Sequence, residues 1–600
     1  ETDESEKLFS EMFPKNSARV ARQKKAPLRV IMGNPPYSVG QRSANDDAQN
    51  MKYSKLDNRI AETYAKSTSA TNKNSLYDSY MKAFRWSTDR LDPIHGGIIA
   101  FVSNGAWLDS NSSDGFRKVL EKEFSSIWVF NTRGNARTQG ELRKKEAGNV
   151  FGAGSRTPIA ITLLVRNPIS RSKKATINYY DIGDYLNSTE KLTKIKEAKS
   201  VSAGNLVWKV LQPNEHGDWV SQRNDAFTMF VPLGDKEDKS NLNTFFVPYY
   251  SNGLKTQRDA WCYNSSQTKL SLNIQLHIDF YNEQLVKYFE AKASGSKTTL
   301  KDFVDRNSNK ISWTRALEWD AEKNKVIDMN DGCFMNAHYR PFYKQHLYFS
   351  KALNEMQYQI PKLFPKKGPG NLVICVSGIG ASKDFSCIIS NLLVDVQLQF
   401  NGQCFPLYYF EERKKATPGL FDVEGDTEYI RRDGISDSIL DRAFKQYGKN
   451  ISKEDIFYYV YGFLHSPEYR ANFTNDLTKM IPRLPLLDDV KQFWQFSKAG
   501  RKLAELHLEY ENVPPCPGVK VSGEESNFFT VEKMRFPSKG QKDTIIVNSK
   551  IIVSNIPPKA YEYVVNGKSA IEWIMERYQV TVHKESGIKN DPNDWAKEVG

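Results

Sequence analysis

The sequence predicts an α/β fold at its N-terminal end, a doubly wound sheet, followed by an α+β region of different texture. Two observations carry this. Over the first 165 residues, apolar runs of strand length alternate with amphipathic helical segments, the pattern of strands joined by crossover helices. After about residue 200 the runs shorten, loops lengthen and aromatic residues multiply, so a second core is expected there.

Each element follows from its own pattern. LRVIM (28–32) is a short apolar run that stops at Gly33 and reads as a buried strand. The polar stretch 38–75, rich in Ser, Asn, Lys and Asp, reads as a long loop of the kind that closes over a site. SLYDSYMKAFRWSTDRL (75–91) spaces Leu76, Tyr80 and Phe84 four apart, which is one face of a helix. GGIIAFVS (96–103), SIWVF (126–130) and IAITLLV (159–165) read as strands, and DGFRKVLEKEF (114–124) as a helix burying Phe116, Val119, Leu120 and Phe124. Because the apolar runs are continuous, both sheet faces are expected to be covered. Farther on, 243–253, 371–380 and 403–412 read as β-rich, and 457–481 and 491–511 as helices. Composition puts boundaries near 200 and 420, giving regions 1–200, 201–420 and 421–600.

The bulk numbers narrow the class. At 600 residues the chain exceeds one core, and 39% hydrophobic with 26% charged residues is a globular balance. No apolar run approaches the ~18 residues of a membrane helix, so no membrane partner is expected. The net charge of +13 suits an anionic partner such as nucleic acid, incidental surface lysine being the plain alternative. Six scattered cysteines without a Cys-x-x-Cys pair, and eight histidines without His-Glu-x-x-His, predict reduced thiols of a cytoplasmic protein and no metal site.

Asn34-Pro35-Pro36-Tyr37 follows the first strand, at the carboxyl end where ligands of such sheets bind. Asn-Pro and Pro-Pro are also ordinary turn dipeptides. The available chemistry is more specific than that. The Asn34 side-chain oxygen is one acceptor; the Pro35 carbonyl is a second, its direction restricted by the next proline. Two convergent acceptors fit an amino group that donates two hydrogen bonds, such as N6 of adenine. Holding both hydrogens frees the nitrogen lone pair to attack an activated methyl group in line, by positioning and preorganised electrostatics. Tyr37 offers a ring on which an extruded base can stack.

The tetrapeptide resembles the catalytic motif of gamma-class DNA methyltransferases acting on adenine N6. The resemblance implies a SAM-dependent methyltransferase-like sheet with only its C-terminal part in this chain. It also implies S-adenosylmethionine (SAM) as methyl donor, and Asn34, Pro35, Pro36 and Tyr37 as catalytic residues. SLYDSYMKAF resembles the family's next helix, implying a cofactor contact for Tyr80. NVFGAGSRTPIAITLLV (149–165) resembles a later motif, which implies that Phe151, like Tyr37, stacks on the target base. HYRPFYKQHLYFS (338–350), FYYVYGFLHSPEYR (457–470), IPRLPL (481–486), LHLEYE (506–511), VVNGKSAIEWIMERYQV (564–580) and SGIKNDPN (586–593) resemble single-polypeptide type I (type ISP) restriction-modification enzymes. In that family a nuclease, an ATP-driven translocase, a methyltransferase and a target-recognition domain follow one another in one chain. The implied partners are double-stranded DNA and upstream nuclease and ATPase domains of the same polypeptide.

One departure qualifies the resemblance. The family's glycine-rich SAM loop precedes the motif strand, and only 33 residues precede Asn34 here. The chain is therefore expected to be part of a longer polypeptide, to lack half its cofactor site and to be inactive alone. The alternative reading is a sequence-specific DNA-binding module without catalytic competence. VSGIGASKD (376–384) follows a strand and could cradle a phosphate at a helix start, though without a full glycine fingerprint. Basic clusters at 171–174, 255–258, 365–370 and 412–415, some beside Tyr249, Tyr250, Tyr408 and Tyr409, are candidate phosphate contacts or simply solvated surface.

Overall fold

The computed structural model describes residues 14–599, apart from 37–52, 71, 139, 153–154, 237, 239–240, 367, 382, 413–428 and 525–529. It divides into two compact units, Glu1–Arg223 and Asn224–Gly600.

In the first unit, helix α1 (Pro14–Lys25) precedes strand β1 (Val30–Gly33). The stretch expected to be loop contains helix α2 (Ser54–Ile60), which continues as a wider π turn over Ala61–Ala65. Its buried Ile60 and Tyr64 are four apart, a helical signal diluted by the polar residues around it. Helix α3 (Ser79–Arg90), strand β2 (Gly97–Asn104), helix α4 (Asp114–Glu123) and strand β3 (Ser126–Arg133) follow. Helix α5 (Gly140–Glu146), strands β4 (Ile159–Arg166) and β5 (Thr176–Asp181), helix α6 (Ser188–Ala198) and strand β6 (Lys209–Leu211) complete the unit. The strands form one sheet in the order β1-β2-β4-β3-β5-β6. β1 runs parallel to β2, and β3 to β5. β4 enters between β2 and β3 and runs antiparallel to both. The sheet is thus mixed α/β, and its central strand departs from a wholly parallel winding.

Coverage of the sheet also departs from expectation. Along β2, Ile99, Phe101 and Ser103 are buried while the residues between them are not. The buried face packs on Phe84, Phe116, Leu120 and Trp107. On the other face Val30, Met32 and Ile98 are exposed, Met32 to 75%. Continuous apolar sequence therefore did not mean burial on both sides: side chains alternate between faces along a strand, and only one face is packed along β1 and β2.

The second unit holds two four-stranded sheets built from short strands. One runs Leu393–Val394, Phe334–Arg340, Tyr343–Tyr348, Tyr263–Asn264; the other runs Cys387–Ser390, Val373–Val376, Gln403–Pro406, Ser251–Asn252. The first packs with the long helix Gln267–Ala293, whose Leu270, Ile274, Ile278, Tyr281, Leu285 and Tyr288 are buried at three- and four-residue spacing. Ser266 caps that helix, its hydroxyl accepting from the Lys269 amide. The second sheet packs on the helices Lys453–Phe463 and Val490–Leu508. The segment 457–481 is not one helix. It breaks after Phe463 and restarts at Pro467, capped by Ser466, because proline has no N–H to continue the ladder and suits a first turn. Strands Tyr408–Glu412 and Tyr429–Asp433 pair with each other, across the boundary expected near 420. Among the described residues no helix is long and apolar enough to cross a membrane.

Candidate functional site

The Asn34 turn lies at the carboxyl end of β1, with Gly33 in register with Phe101 of β2. Asn34 and Pro36 are exposed and Pro35 is buried, so the turn presents its amide outward from a pinned backbone. Tyr37 lies outside the described residues. Because β4 is antiparallel, its first residue Ile159 pairs with Asn104 at the end of β2 and Arg133 at the end of β3. The loop leading into β4 thus reaches the same sheet edge as Asn34, and it carries Phe151. Phe151 is 47% exposed. The scaffold beneath it is Asn149, whose amide donates to the carbonyls of Gly134 (3.1 Å) and Thr157 (2.8 Å) and whose oxygen accepts from the Phe151 N–H (2.9 Å). Glu146 accepts from the amides of Gly134 (2.7 Å) and Asn135 (2.8 Å), fastening the other side of the loop. Tyr80, on α3, is 4% exposed with its ring in the core; burial pushes its hydroxyl pKa far above the ordinary tyrosine range.

In the second unit, a cavity of about 740 Å³ is bordered by Asp259, Trp261, Tyr263, Tyr339, Tyr343 and Arg577, among others. Behind it sits a buried ionic network that HYRPF gave no hint of. Arg340 donates to Asp395 at 2.7 Å and lies 3.5 Å from Asp259, its guanidinium 3.8 Å above the Tyr339 ring. The Tyr339 hydroxyl donates to Asp259 (3.0 Å) and that of Tyr263 to Asp395 (3.1 Å). Burial pushes the Asp395 carboxyl up to about 7, against the pull of Arg340. The network therefore fixes the Tyr339 and Tyr263 hydroxyls at the wall of the cavity.

Several basic candidates resolve differently. Arg258 of the 255–258 cluster is 4% exposed and donates to the Leu353 carbonyl (2.6 Å) and Thr314 hydroxyl (2.6 Å), so it braces the core and meets no phosphate. Tyr250 stacks on buried Phe405. Tyr249 and Tyr409 do meet, 5.1 Å apart, with the Lys362 ammonium 3.8 Å over Tyr249. Residues 413–415 lie outside the described residues. The 376–384 loop joins two antiparallel strands and starts no helix. Its Gly378 and Gly380 amides donate to the carbonyls of Phe400 (3.2 Å) and Thr478 (2.7 Å), so they are not turned toward a phosphate.

Comparison with known proteins places this geometry. Residues 245–599 match the family model described as the type ISP C-terminal specificity domain, more than half of the chain and nearly all of the second unit. The chain belongs to the type ISP restriction-modification family. Its fold superposes on solved type ISP structures over 97% of its length. The nuclease-deletion mutant of LlaGI in complex with a DNA substrate mimic is 39% identical, with TM-score 0.83. ATP-dependent LlaBIII bound to DNA is 37% identical, with TM-score 0.84. The DrdV–DNA complex is 31% identical over the same share, with TM-score 0.78. The chain spans 43% of the LlaGI chain, 36% of the LlaBIII chain and 55% of the DrdV chain. No curated protein sequence matches it.

The type ISP specificity domain thus comprises most of the second unit, with its ionic network and cavity. The residues that sequence reading missed there are Asp259, Asp395 and Asn590. Asp259 and Asp395 bind Arg340, and Asn590 donates to the Tyr343 hydroxyl at 3.2 Å. Only folding joins them, because the partners lie 55 to 247 residues apart.

Proposed function

We propose that, within a longer type ISP polypeptide, this chain selects a duplex DNA sequence through its second unit and supplies through its first the residues that hold the target amino group for adenine N6 methylation. The match of residues 245–599 to a type ISP specificity domain carries the recognition half, supported by relatives solved as DNA complexes. The methylation half rests on Asn34 and Pro35 as paired acceptors at a strand's carboxyl end. Tyr37 and Phe151 are assigned the faces of an extruded adenine, and Tyr80 the cofactor side of the same sheet edge. SAM, when bound, supplies the methyl group. Asn34 and the Pro35 carbonyl hold the amino group for in-line attack. Nuclease and ATP-driven activities are assigned to other parts of a longer type ISP chain.

Binding of labelled duplex and of labelled SAM by this chain tests both halves. Specific duplex binding together with SAM binding supports the full reading. Duplex binding without SAM binding assigns the chain as a recognition module alone. Absence of duplex binding overturns both.

A further inference from the structure

Three cations from three separate segments converge on one buried ring in the second unit. Trp573 is 3% exposed. The Lys568 ammonium lies 4.9 Å from its ring centre, the Arg577 guanidinium 5.4 Å and the Lys383 ammonium 6.0 Å. The local backbone builds this arrangement. Asn566 and Gly567, with φ of 51° and 85°, make the two-residue turn that joins Val564–Val565 to Lys568–Ser569, and left-handed φ at both positions is what an Asn-Gly hairpin supplies. Ser569 then caps the helix Ala570–Arg577, which carries Trp573 and ends in Arg577. The Trp573 indole N–H donates to the Val565 carbonyl at 2.7 Å, locking helix to hairpin. Lys383 arrives from the 376–384 loop and donates to the Asn566 carbonyl at 3.3 Å.

Charge in this cluster is not balanced. Glu576 touches both Lys568 and Arg577. Glu572, on the same helix, is held by Lys542 at 2.8 Å and by its capping bonds to Ser569. Arg340, the next cation, is matched by Asp395. Lys383, Lys568 and Arg577 against Glu576 leave a local surplus of two positive charges. Among the described residues the Arg577 Nε–H is buried without a hydrogen-bond partner, which costs free energy. Burial, with a smaller contribution from the neighbouring Lys568, Arg577 and Arg340, holds the Lys383 ammonium down at about 8. The Lys568 and Arg577 side chains keep 24% and 31% of their surface exposed, and Arg577 also borders the open cavity, so a ligand can reach them.

We propose that Lys383, Lys568 and Arg577 form a phosphate-binding site around Trp573 that grips the backbone of duplex DNA. This rests on the recognition half of the function proposed above. A phosphodiester neutralises the surplus, and the rigid hairpin and helix spare the entropy of ordering three long side chains. Such contacts hold the protein in register on the duplex and carry no sequence information themselves. The glycine loop singled out by sequence thus meets phosphate through its lysine side chain, where its backbone cannot.

The test is the salt dependence of duplex binding by the whole chain. Each of Lys383→Gln and Lys568→Gln is expected to weaken binding several-fold, equally on duplexes of different sequence, and to lower the slope of log K against log salt by about one. Lys287→Gln, whose charge is paired with Glu283 on the helix Gln267–Ala293, should leave both unchanged. Unaltered slope and affinity in both glutamine variants, with melting like the parent, overturns the proposal. If the unsubstituted chain binds no duplex, the function proposed above falls separately, and calorimetry with inorganic pyrophosphate decides this site. Binding heat that disappears in Lys383→Gln upholds an anion site there; no heat with the unsubstituted chain overturns it.

Discussion

Asn34 joins one exposed amide to a backbone fixed on both sides, by β1 before it and by two prolines after it. That separation of roles makes its substitution informative. Asn34→Ala removes an acceptor that nothing in the described core uses, so the melting curve should shift by no more than about 0.5 kcal/mol in stability and duplex affinity should change less than about twofold. In a full type ISP polypeptide carrying this chain, methyl transfer, followed as tritium passing from labelled SAM to duplex, should fall by about 10²–10³ in kcat, the cost expected for deleting one preorganised partner of the reacting group. A loss of duplex binding in the same variant would remove Asn34 from the chemistry and make it a DNA contact. The turn was legible in the sequence because its signal is local: one amide, two prolines and a strand end. Asn149, which holds the Phe151 loop through three hydrogen bonds, gave no such signal, since two of its partners are carbonyls 8 and 15 residues away.

At the scale of elements, the helices Lys453–Phe463 and Val490–Leu508 of the second unit pack closely. They approach backbone to backbone at two glycines. A Cβ on Gly500 would stand 2.0 Å from the Tyr458 carbonyl oxygen, and one on Gly462 would stand 2.2 Å from that of Phe496. Neither obstacle is a movable side-chain tip, so the helices themselves must part. Gly500→Ala and Gly462→Ala should each destabilise the chain by about 1–3 kcal/mol in urea unfolding, even though alanine is the better helix former. A neutral or stabilising result would mean the helices can slide apart at little cost. From sequence, glycine inside a helical pattern reads only as a weakness. The same limit explains β4, whose apolar run marked a strand while its direction and its place between β2 and β3 depended on partners elsewhere in the sheet.

Across the whole molecule, four histidines of the second unit make the fold acid-sensitive. Burial drives His277, His338 and His465 down to about 3 and His507 to about 4, whereas in the unfolded chain each takes up a proton near 6.5. Below that value the unfolded state binds four more protons, so stability falls as pH falls. Asp395 works the other way. Its carboxyl, at about 7 in the fold, keeps one extra proton in the native state until the unfolded carboxylate protonates near 4. The net difference of about three protons predicts a loss on the order of 4 kcal/mol per pH unit between about pH 6 and pH 4.5. Urea midpoints across that window would check it, and flat midpoints would show that these imidazoles already carry a charge in the fold.

By itself the sequence determined strands β1 to β4 and helices α3 and α4 of the first unit, the Asn-Pro-Pro turn at a strand end, the basic balance of the chain and its family resemblance. All of these are written in short-range patterns: period, turn chemistry and composition. Tertiary structure decided the mixed sheet, the Arg340 network, the glycine contact of two helices and the meeting of Lys383 with Lys568 and Arg577. These join segments from about 25 to nearly 200 residues apart, and nothing in a local window states which distant segment will pack against it.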